Sequence, residues 1–176
     1  MKKLLIVIDM QEDFVRGALA NPAAEAIIPK IKSKIDSYLK ENNTVIFTRD
    51  THSVDYLKTP EGTKLPIEHC IKNTKGWLVV DELCHPECLH INKPTFGYKH
   101  WDFEYLNDYD SIELVGTCTS ICVVSNALIL KATYPEVPIT VDASCCACLN
   151  EETHKAALTV METCQINVIN KEGMIL

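Results

Sequence analysis

Three short apolar runs of this chain end on an acid, an amine and a thiol. Asp9 follows Leu4 to Ile8, Lys93 follows Leu89 to Asn92, and Cys122 lies just beyond Ile112 to Val115. A second acid, Asp50, follows the run Val45 to Thr48. In an open parallel α/β sheet, ligands sit outside the carboxyl ends of the strands, so side chains far apart in sequence meet there. Together these groups can carry out nucleophilic acyl chemistry. In such chemistry the thiol of Cys122 would attack an amide carbonyl and form an acyl-thioester, which water activated by Asp9 would then hydrolyse. Asp9 could take the thiol proton and hand it to departing ammonia, while the charge of Lys93 is expected to lower the thiol pKa.

The setting of Cys122 separates it from the other eight cysteines, most of which read as buried small hydrophobes. Gly116-Thr117-Cys118-Thr119-Ser120-Ile121-Cys122 joins a strand to a helix, placing a thiol at a helix N-terminus, where the dipole and free N–H groups favour a thiolate. Thr119 or Ser120 is expected to cap that helix. The backbone N–H groups of Cys118 and Cys122 could face a developing oxyanion. Cys118 is the rival thiol, but its place in the tight turn suits a backbone role. Cys145, Cys146, Cys148 and Cys164 read as core or loop residues.

A second constellation lies after the second apolar run. Asp50 and His52 are spaced i, i+2 at a strand end, and His69 follows a loop rich in proline and glycine. Residues two apart on a strand project to one side, which suits a divalent metal bound through carboxylate and imidazole. Cys84-His85-Pro86-Glu87-Cys88, with His90 nearby, has a spacing that matches no common zinc motif and lacks a second cysteine pair. Phe14 and Trp77, with Phe96 or Tyr98, could wall a pocket for a flat ring.

These groups need a scaffold of repeated βα units. Short apolar runs alternate with helical periodicity, which predicts an α/β domain with a mainly parallel sheet of about six strands. The expected strands are Leu4 to Ile8, Val45 to Thr48, Leu89 to Asn92, Ile112 to Val115, Val137 to Val141 and Ile166 to Ile169. Helices are expected over Ala24 to Leu39, Trp101 to Leu106, Thr119 to Ala132 and Glu151 to Thr163. The stretch from Asp50 to about Glu87 lacks periodicity and carries Pro60, Gly62, Pro66, Gly76 and Pro86, so it reads as a long irregular excursion, a kind of segment that is usually functional.

Bulk properties exclude other classes. The 176 residues suit a single domain, 1–176, and 47% hydrophobic residues supply a sizeable core. A formal net charge of -7 with dispersed lysines argues against a nucleic-acid or anionic-membrane partner and for a small molecule. Nine cysteines are an odd count in a chain longer than stapled mini-domains, which fits a reduced, cytoplasmic protein. The start MKKLLIVIDMQEDF has only five apolar residues before Asp9, too few for a signal peptide, and no apolar run approaches the roughly 20 residues that span a bilayer. Self-association is compatible with such a fold, and the subunit number is not set by the sequence.

Val-Ile-Asp-Met-Gln-Glu-Asp-Phe ending at Phe14, Asn-Lys-Pro around Lys93, Gly-x-x-Thr-x-x-Cys-Val over Gly116 to Val123, and Asp142-Ala143 followed by His154 and Ala156-Ala157-Leu158 recur in order along nearly the whole chain. This pattern resembles the isochorismatase-like cysteine hydrolases, and their nicotinamidase-like branch in particular. The resemblance implies a doubly wound three-layer α/β/α sandwich and a catalytic triad of Asp9, Lys93 and Cys122. It also implies a cis peptide between Thr117 and Cys118 that sets the Cys118 and Cys122 N–H groups as an oxyanion hole. Asp50, His52 and His69 fall where such enzymes keep the ligands of a divalent metal, zinc by preference. This chain lacks the further histidine usually found between His52 and His69, and Glu61 is the best fourth ligand, with water as the alternative. The metal would hold the pyridine nitrogen of nicotinamide and set its carboxamide over Cys122. The implied reaction is nicotinamide to nicotinate and ammonia, a step of NAD metabolism. Alternatives are hydrolysis of another small amide or ureido compound, an ether hydrolysis of the isochorismate type, or a non-catalytic thiol redox or scaffold protein.

Overall fold

The computed structural model describes residues 1–173; the last three residues lie outside it. Six strands form one sheet: β1 (Lys3–Ile8), β2 (Thr44–Asp50), β3 (Leu89–Lys93), β4 (Ser111–Thr117), β5 (Ile139–Ala147) and β6 (Asn167–Ile169). Their order is β3-β2-β1-β4-β5-β6, and every pairing is parallel. β1 is buried along almost its whole length, as a central strand covered on both faces must be. Its side chains alternate: Leu4, Ile6 and Ile8 join one apolar cluster and Leu5 and Val7 the other.

Helices cover both faces. α1 (Glu12–Val15), α2 (Pro22–Ala26) and α3 (Ile28–Lys40) lead from β1 to β2, and the last two pack Ala24, Ile28, Ile31 and Ile35 against one face. A short α4 (Pro60–Lys64) lies between β2 and β3. α5 (Val124–Thr133) and α6 (Glu151–Thr163) bring Ala127, Leu130, Leu158 and Met161 to the other. This is the expected doubly wound three-layer fold. The chain builds outward from β1 to β3, then returns to place β4 on the other side of β1. The crevice at that reversal is where such sheets bind ligands, and Asp9 and Cys122 follow the two strands that flank it.

Several boundaries depart from the sequence reading. The helix expected over Ala24 to Leu39 is broken at Ile27 into α2 and α3. Pro29, in the first turn of α3, has no N–H to continue a ladder, and its ring would meet the carbonyl of Glu25. β5 runs to Ala147, six residues past its expected end, because Asp142 and Ser144 interrupt the apolar run without leaving the sheet. The helix placed at Trp101 to Leu106 is a 3-10 turn over Glu104–Asp108, with Trp101 buried in the core. The helix after β4 begins with a π-helical turn, Thr119–Val123, before α5.

The long excursion is tied down rather than free. It contains α4 and 3-10 turns at Tyr56–Lys58 and Lys75–Trp77. Bridges pair His52 with Ile71 and Gln11 with Val79. Among the described residues, no helix is long and apolar enough to cross a membrane.

Candidate active site

Asp9, Lys93 and Cys122 meet at the carboxyl edge of the sheet, brought there by β1, β3 and the turn after β4. Lys93 Nζ lies 2.6 Å from Asp9 Oδ2 and 3.6 Å from Cys122 Sγ. It also donates to the carbonyl of Thr95 at 3.2 Å and to Asp50 Oδ1 at 3.5 Å. A buried ammonium is tolerated only where its donors are matched, and these four partners surround its three N–H groups. Asp9 is held from its other side by the hydroxyl of Thr48, which donates to Oδ1 at 2.7 Å. Its backbone sits at φ 48°, the left-handed region that turns the side chain out of the strand and into the cluster. Asp9 and Lys93 are wholly buried and Cys122 is only 5% exposed, so this is a dry site in which charges interact strongly.

Burial raises the pKa of Asp9, and the neighbouring Lys93 only partly offsets it. Lys93 itself is drawn down by burial, but Asp9, Cys122 and Asp50 outweigh that and hold it cationic. The thiol departs from expectation. Burial first, then the charge of Asp9, pushes Cys122 well above an ordinary thiol, and Lys93 reverses only part of this. The thiol is therefore held protonated rather than as a thiolate, the opposite of what the charge of Lys93 alone would give.

The segment carrying Cys122 has a cis peptide at Thr117–Cys118. Cys118 occupies the N-cap of the π turn without a side-chain cap, so neither Thr119 nor Ser120 plays the capping role expected of it. Thr119 Oγ1 instead donates to the Ala147 carbonyl at 3.0 Å and lies 2.9 Å from His154 Nδ1, tying the turn to β5 and α6. The structure thus places Cys118 and Cys122 on one turn, with the Cys122 thiol beside Lys93.

Next to this cluster, Asp50, His52, Glu61 and His69 form a set whose four ligand atoms all lie within 4.8 Å of one another. Asp50 Oδ2 is 3.0 Å from His52 Nε2 and 3.7 Å from His69 Nε2. Glu61 Oε1 is 3.6 and 4.0 Å from the same two nitrogens. Glu61 comes from α4, so the excursion folds back over the end of β2. Two observations fit a metal here. His69 Nδ1 is 2.8 Å from the Ile67 carbonyl, which assigns the proton to Nδ1 and leaves the Nε2 lone pair facing the carboxylates. Glu61 Oε1 is buried with no hydrogen-bond partner, an arrangement that a bound cation would satisfy. Two imidazoles and two carboxylates suit zinc or a similar divalent ion. The tyrosine between the histidines in sequence, Tyr56, packs its ring 4.6 Å from His52 and 4.9 Å from His69 and so closes the apolar side.

The sequence reading missed three supporting residues. Gln11, wholly buried, accepts from the Asp50 N–H at 2.7 Å and donates to the carbonyls of Asp50 and Trp77, both at 2.9 Å. Asp13 accepts from the Cys70 N–H at 2.7 Å and so positions the loop just after His69. Asn126, one turn beyond Cys122, donates to the Cys122 carbonyl at 2.8 Å and to that of Phe96 at 3.1 Å; it accepts from the Tyr98 N–H and the Trp101 indole, each at 2.9 Å. The one signal in the sequence was the polar amide itself, placed where helical spacing puts core residues.

The proposed pocket walls fare unequally. The Phe14 ring lies 5.5 Å from that of His69, against the metal-ligand set. The Trp77 indole donates to Thr51 Oγ1 at 2.8 Å, and the Arg49 guanidinium stacks 3.8 Å above it, which places it one residue past Asp50 along the wall. Phe96 is 41% exposed, and Tyr98 packs on Trp101 and Phe103. Open depressions on the surface lie elsewhere; one of about 570 Å³ is lined by α3 and the end of β5, around Lys34, Asp142 and Cys145. It has no member of either cluster and is no rival for the chemistry.

A doubly wound sheet with a dry Asp–Lys–Cys cluster at its switch point places the chain among hydrolases of the α/β class. The family model for the isochorismatase domain matches residues 3–173, and the chain belongs to the isochorismatase family. It is an isochorismatase-like amide hydrolase. The chain is similar to the nicotinamidase of Saccharomyces cerevisiae, at 25% identity with 72% of this chain and 80% of that protein covered. Among solved structures it is similar to the pyrazinamidase/nicotinamidase of Streptococcus mutans, with a TM-score of 0.84 and 26% identity over 96% of this chain and all of that one. The fold is also that of the pyrazinamidase of Pyrococcus horikoshii in complex with zinc, with a TM-score of 0.82, 24% identity, and 97% and 99% of the two chains covered.

Proposed function

We propose that this protein hydrolyses a small ring carboxamide, nicotinamide foremost, to the carboxylate and ammonia through an acyl-thioester on Cys122. The observation that carries this is Lys93: one ammonium lies 3.6 Å from the nucleophilic sulfur and 3.5 Å from Asp50, so the thiol and the metal-ligand set share one crevice. A ring donor held on one side and a carboxamide over the thiol on the other would use both. The nicotinamidase and pyrazinamidase names of the relatives support the same substrate class.

In this reading Asp9 accepts the thiol proton as sulfur attacks the carbonyl carbon. The N–H groups of Cys118 and Cys122 donate to the oxygen as it becomes negative, and Lys93 keeps Asp9 oriented and the local charge balanced. Asp9 then delivers its proton to the amide nitrogen, the C–N bond breaks, and ammonia leaves. Water that has lost a proton to Asp9 attacks the thioester, and the returning proton restores the thiol. Asp50, His52, Glu61 and His69 would hold a divalent metal, zinc by donor type, and the zinc complex of the Pyrococcus pyrazinamidase supports that choice. Such an ion supplies a Lewis-acid site that orients a ring-nitrogen donor.

The test is ammonia release from nicotinamide by the purified protein, with and without chelator, beside Cys122→Ala. Turnover that vanishes in the variant and falls with chelation is expected. No release from a folded, metal-loaded sample would remove nicotinamide, and turnover that persists in Cys122→Ala would remove the thioester.

A further inference from the structure

A second pair of thiols lies beside the oxyanion turn, and the reaction does not use it. Cys148 ends the segment after β5, two residues before Asn150, the N-cap of α6. Its sulfur is 3.1 Å from Ser120 Oγ, and Ser120 Oγ is 3.6 Å from the sulfur of Cys118. The Ser120 hydroxyl therefore bridges the two thiols. Both are only partly buried, unlike the enclosed Cys122, so a small oxidant can reach them. The hydrogen bond from Cys118, outweighing burial and helped by Ser120 and the Asn150 backbone, draws the Cys148 thiol below its ordinary range. That is the environment of a reactive rather than an inert cysteine.

We propose that Cys148 and Cys118 form a peroxide-reactive pair, Cys148 the attacking and Cys118 the resolving thiol, whose disulfide shuts the site off. The Cys148 thiolate attacks one oxygen of hydrogen peroxide, the O–O bond breaks, and a sulfenic acid and hydroxide result. The Cys118 sulfur then attacks the Cys148 sulfur, the S–O bond breaks, and the departing hydroxide leaves as water with the Cys118 proton. In sum, two thiols and one peroxide give one disulfide and two waters. Closing a bond of about 2.05 Å between sulfurs now bridged by the Ser120 hydroxyl must pull the Cys118 backbone toward Cys148. The effect on turnover rests on the proposed function, in which the Cys118 N–H faces the oxyanion. A donor displaced by about 1 Å costs on the order of a hundredfold in rate.

The full-length protein, reduced and then freed of reductant, is treated with hydrogen peroxide, blocked with N-ethylmaleimide and digested with trypsin. Cleavage after Lys99, Lys131 and Lys155 puts Cys118 on peptide 100–131 and Cys148 on peptide 132–155, and fragment ions separate Cys118 from Cys122 and Cys148 from its neighbours. A dithiothreitol-sensitive link between Cys118 and Cys148 is expected, with amidase activity falling tenfold or more and returning on reduction. Cys148→Ser should start at wild-type activity, form no link and outlast the wild type in peroxide. Linkage through Cys122, or a Cys148 carried to sulfinic acid without a link, would overturn the pair. A link that leaves turnover intact, or a Cys148→Ser variant inactivated as fast as wild type, would overturn the shut-off. The peptide mapping needs no substrate, so its result stands apart from that of the nicotinamide assay.

Discussion

Lys93 is the residue on which most of the site depends. It pairs with two buried carboxylates and touches the Cys122 thiol, so its loss should act on folding and on the proposed chemistry together. Lys93→Met is expected to abolish turnover and to cost about 3–5 kcal/mol, the usual penalty for leaving buried charge unpaired. Urea midpoints set against those of Cys122→Ala check this, since the latter should lose turnover without a comparable stability loss. Asp9 carries the pH dependence. In the proposed reaction it must be ionised to accept the thiol proton, and burial holds its pKa above that of an ordinary aspartate, so the acid limb of the rate profile should lie above the ordinary aspartate range. The sign for stability follows from the same shift. The folded state binds the Asp9 proton more tightly than the unfolded chain, so this residue favours folding at low pH and loses that contribution as pH rises through its folded pKa. A profile of kcat/KM whose acid limb sits at about pH 4 would count against Asp9 as the buried base.

At the scale of elements, two devices set the nucleophile. The end of β4 must pass β1 closely. Gly116 adopts φ +118° at a register shift toward β5, and a Cβ there would lie 2.1 Å from the Ile8 carbonyl. Gly116→Ala is therefore expected to cost several kcal/mol through strain and clash, on the order of 3 or more, and to show first as loss of soluble protein. α5 supplies the other device. Asn126 bonds to four groups from the loop after β3 and from Cys122 itself. Asn126→Ala leaves those partners unsatisfied and should cost about 3 kcal/mol, read from denaturant unfolding, with a matching fall in kcat as the nucleophile's turn loosens. The asparagine was visible in sequence as a polar residue at a core-spaced helical position. That it clamps a loop from 25 to 30 residues upstream was not, because helical periodicity reports a face and not what the face meets.

At the scale of the whole molecule, the excursion between β2 and β3 completes a cluster that no single element contains. His52 follows β2, Glu61 lies on α4, and His69 comes from the loop that pairs back beside His52. A ligand that binds only the folded state stabilises it by RT ln(1 + [L]/Kd), about 2.7 kcal/mol at a hundredfold excess over Kd. Chelation should accordingly lower the melting temperature by several degrees, and Glu61→Gln should weaken zinc affinity roughly tenfold or more, measured by calorimetry on the apoprotein. An apoprotein that melts at the same temperature with and without zinc would refute the site. The sequence by itself determined the class of fold and the meeting of Asp9, Lys93 and Cys122, since strand periodicity and parallel winding oblige residues that follow these strands to share one edge of the sheet. It also picked out Asp50, His52 and His69 as candidate metal ligands, with Glu61 as the best fourth and water as the alternative. Only the tertiary structure decided the rest: that Glu61 reaches the histidines, that Gln11 and Asn126 hold the loops, that Pro29 splits a helix, and that the thiol is raised rather than lowered. These outcomes depend on burial and on distances between segments remote in the chain, and neither is a property of a local pattern of residues.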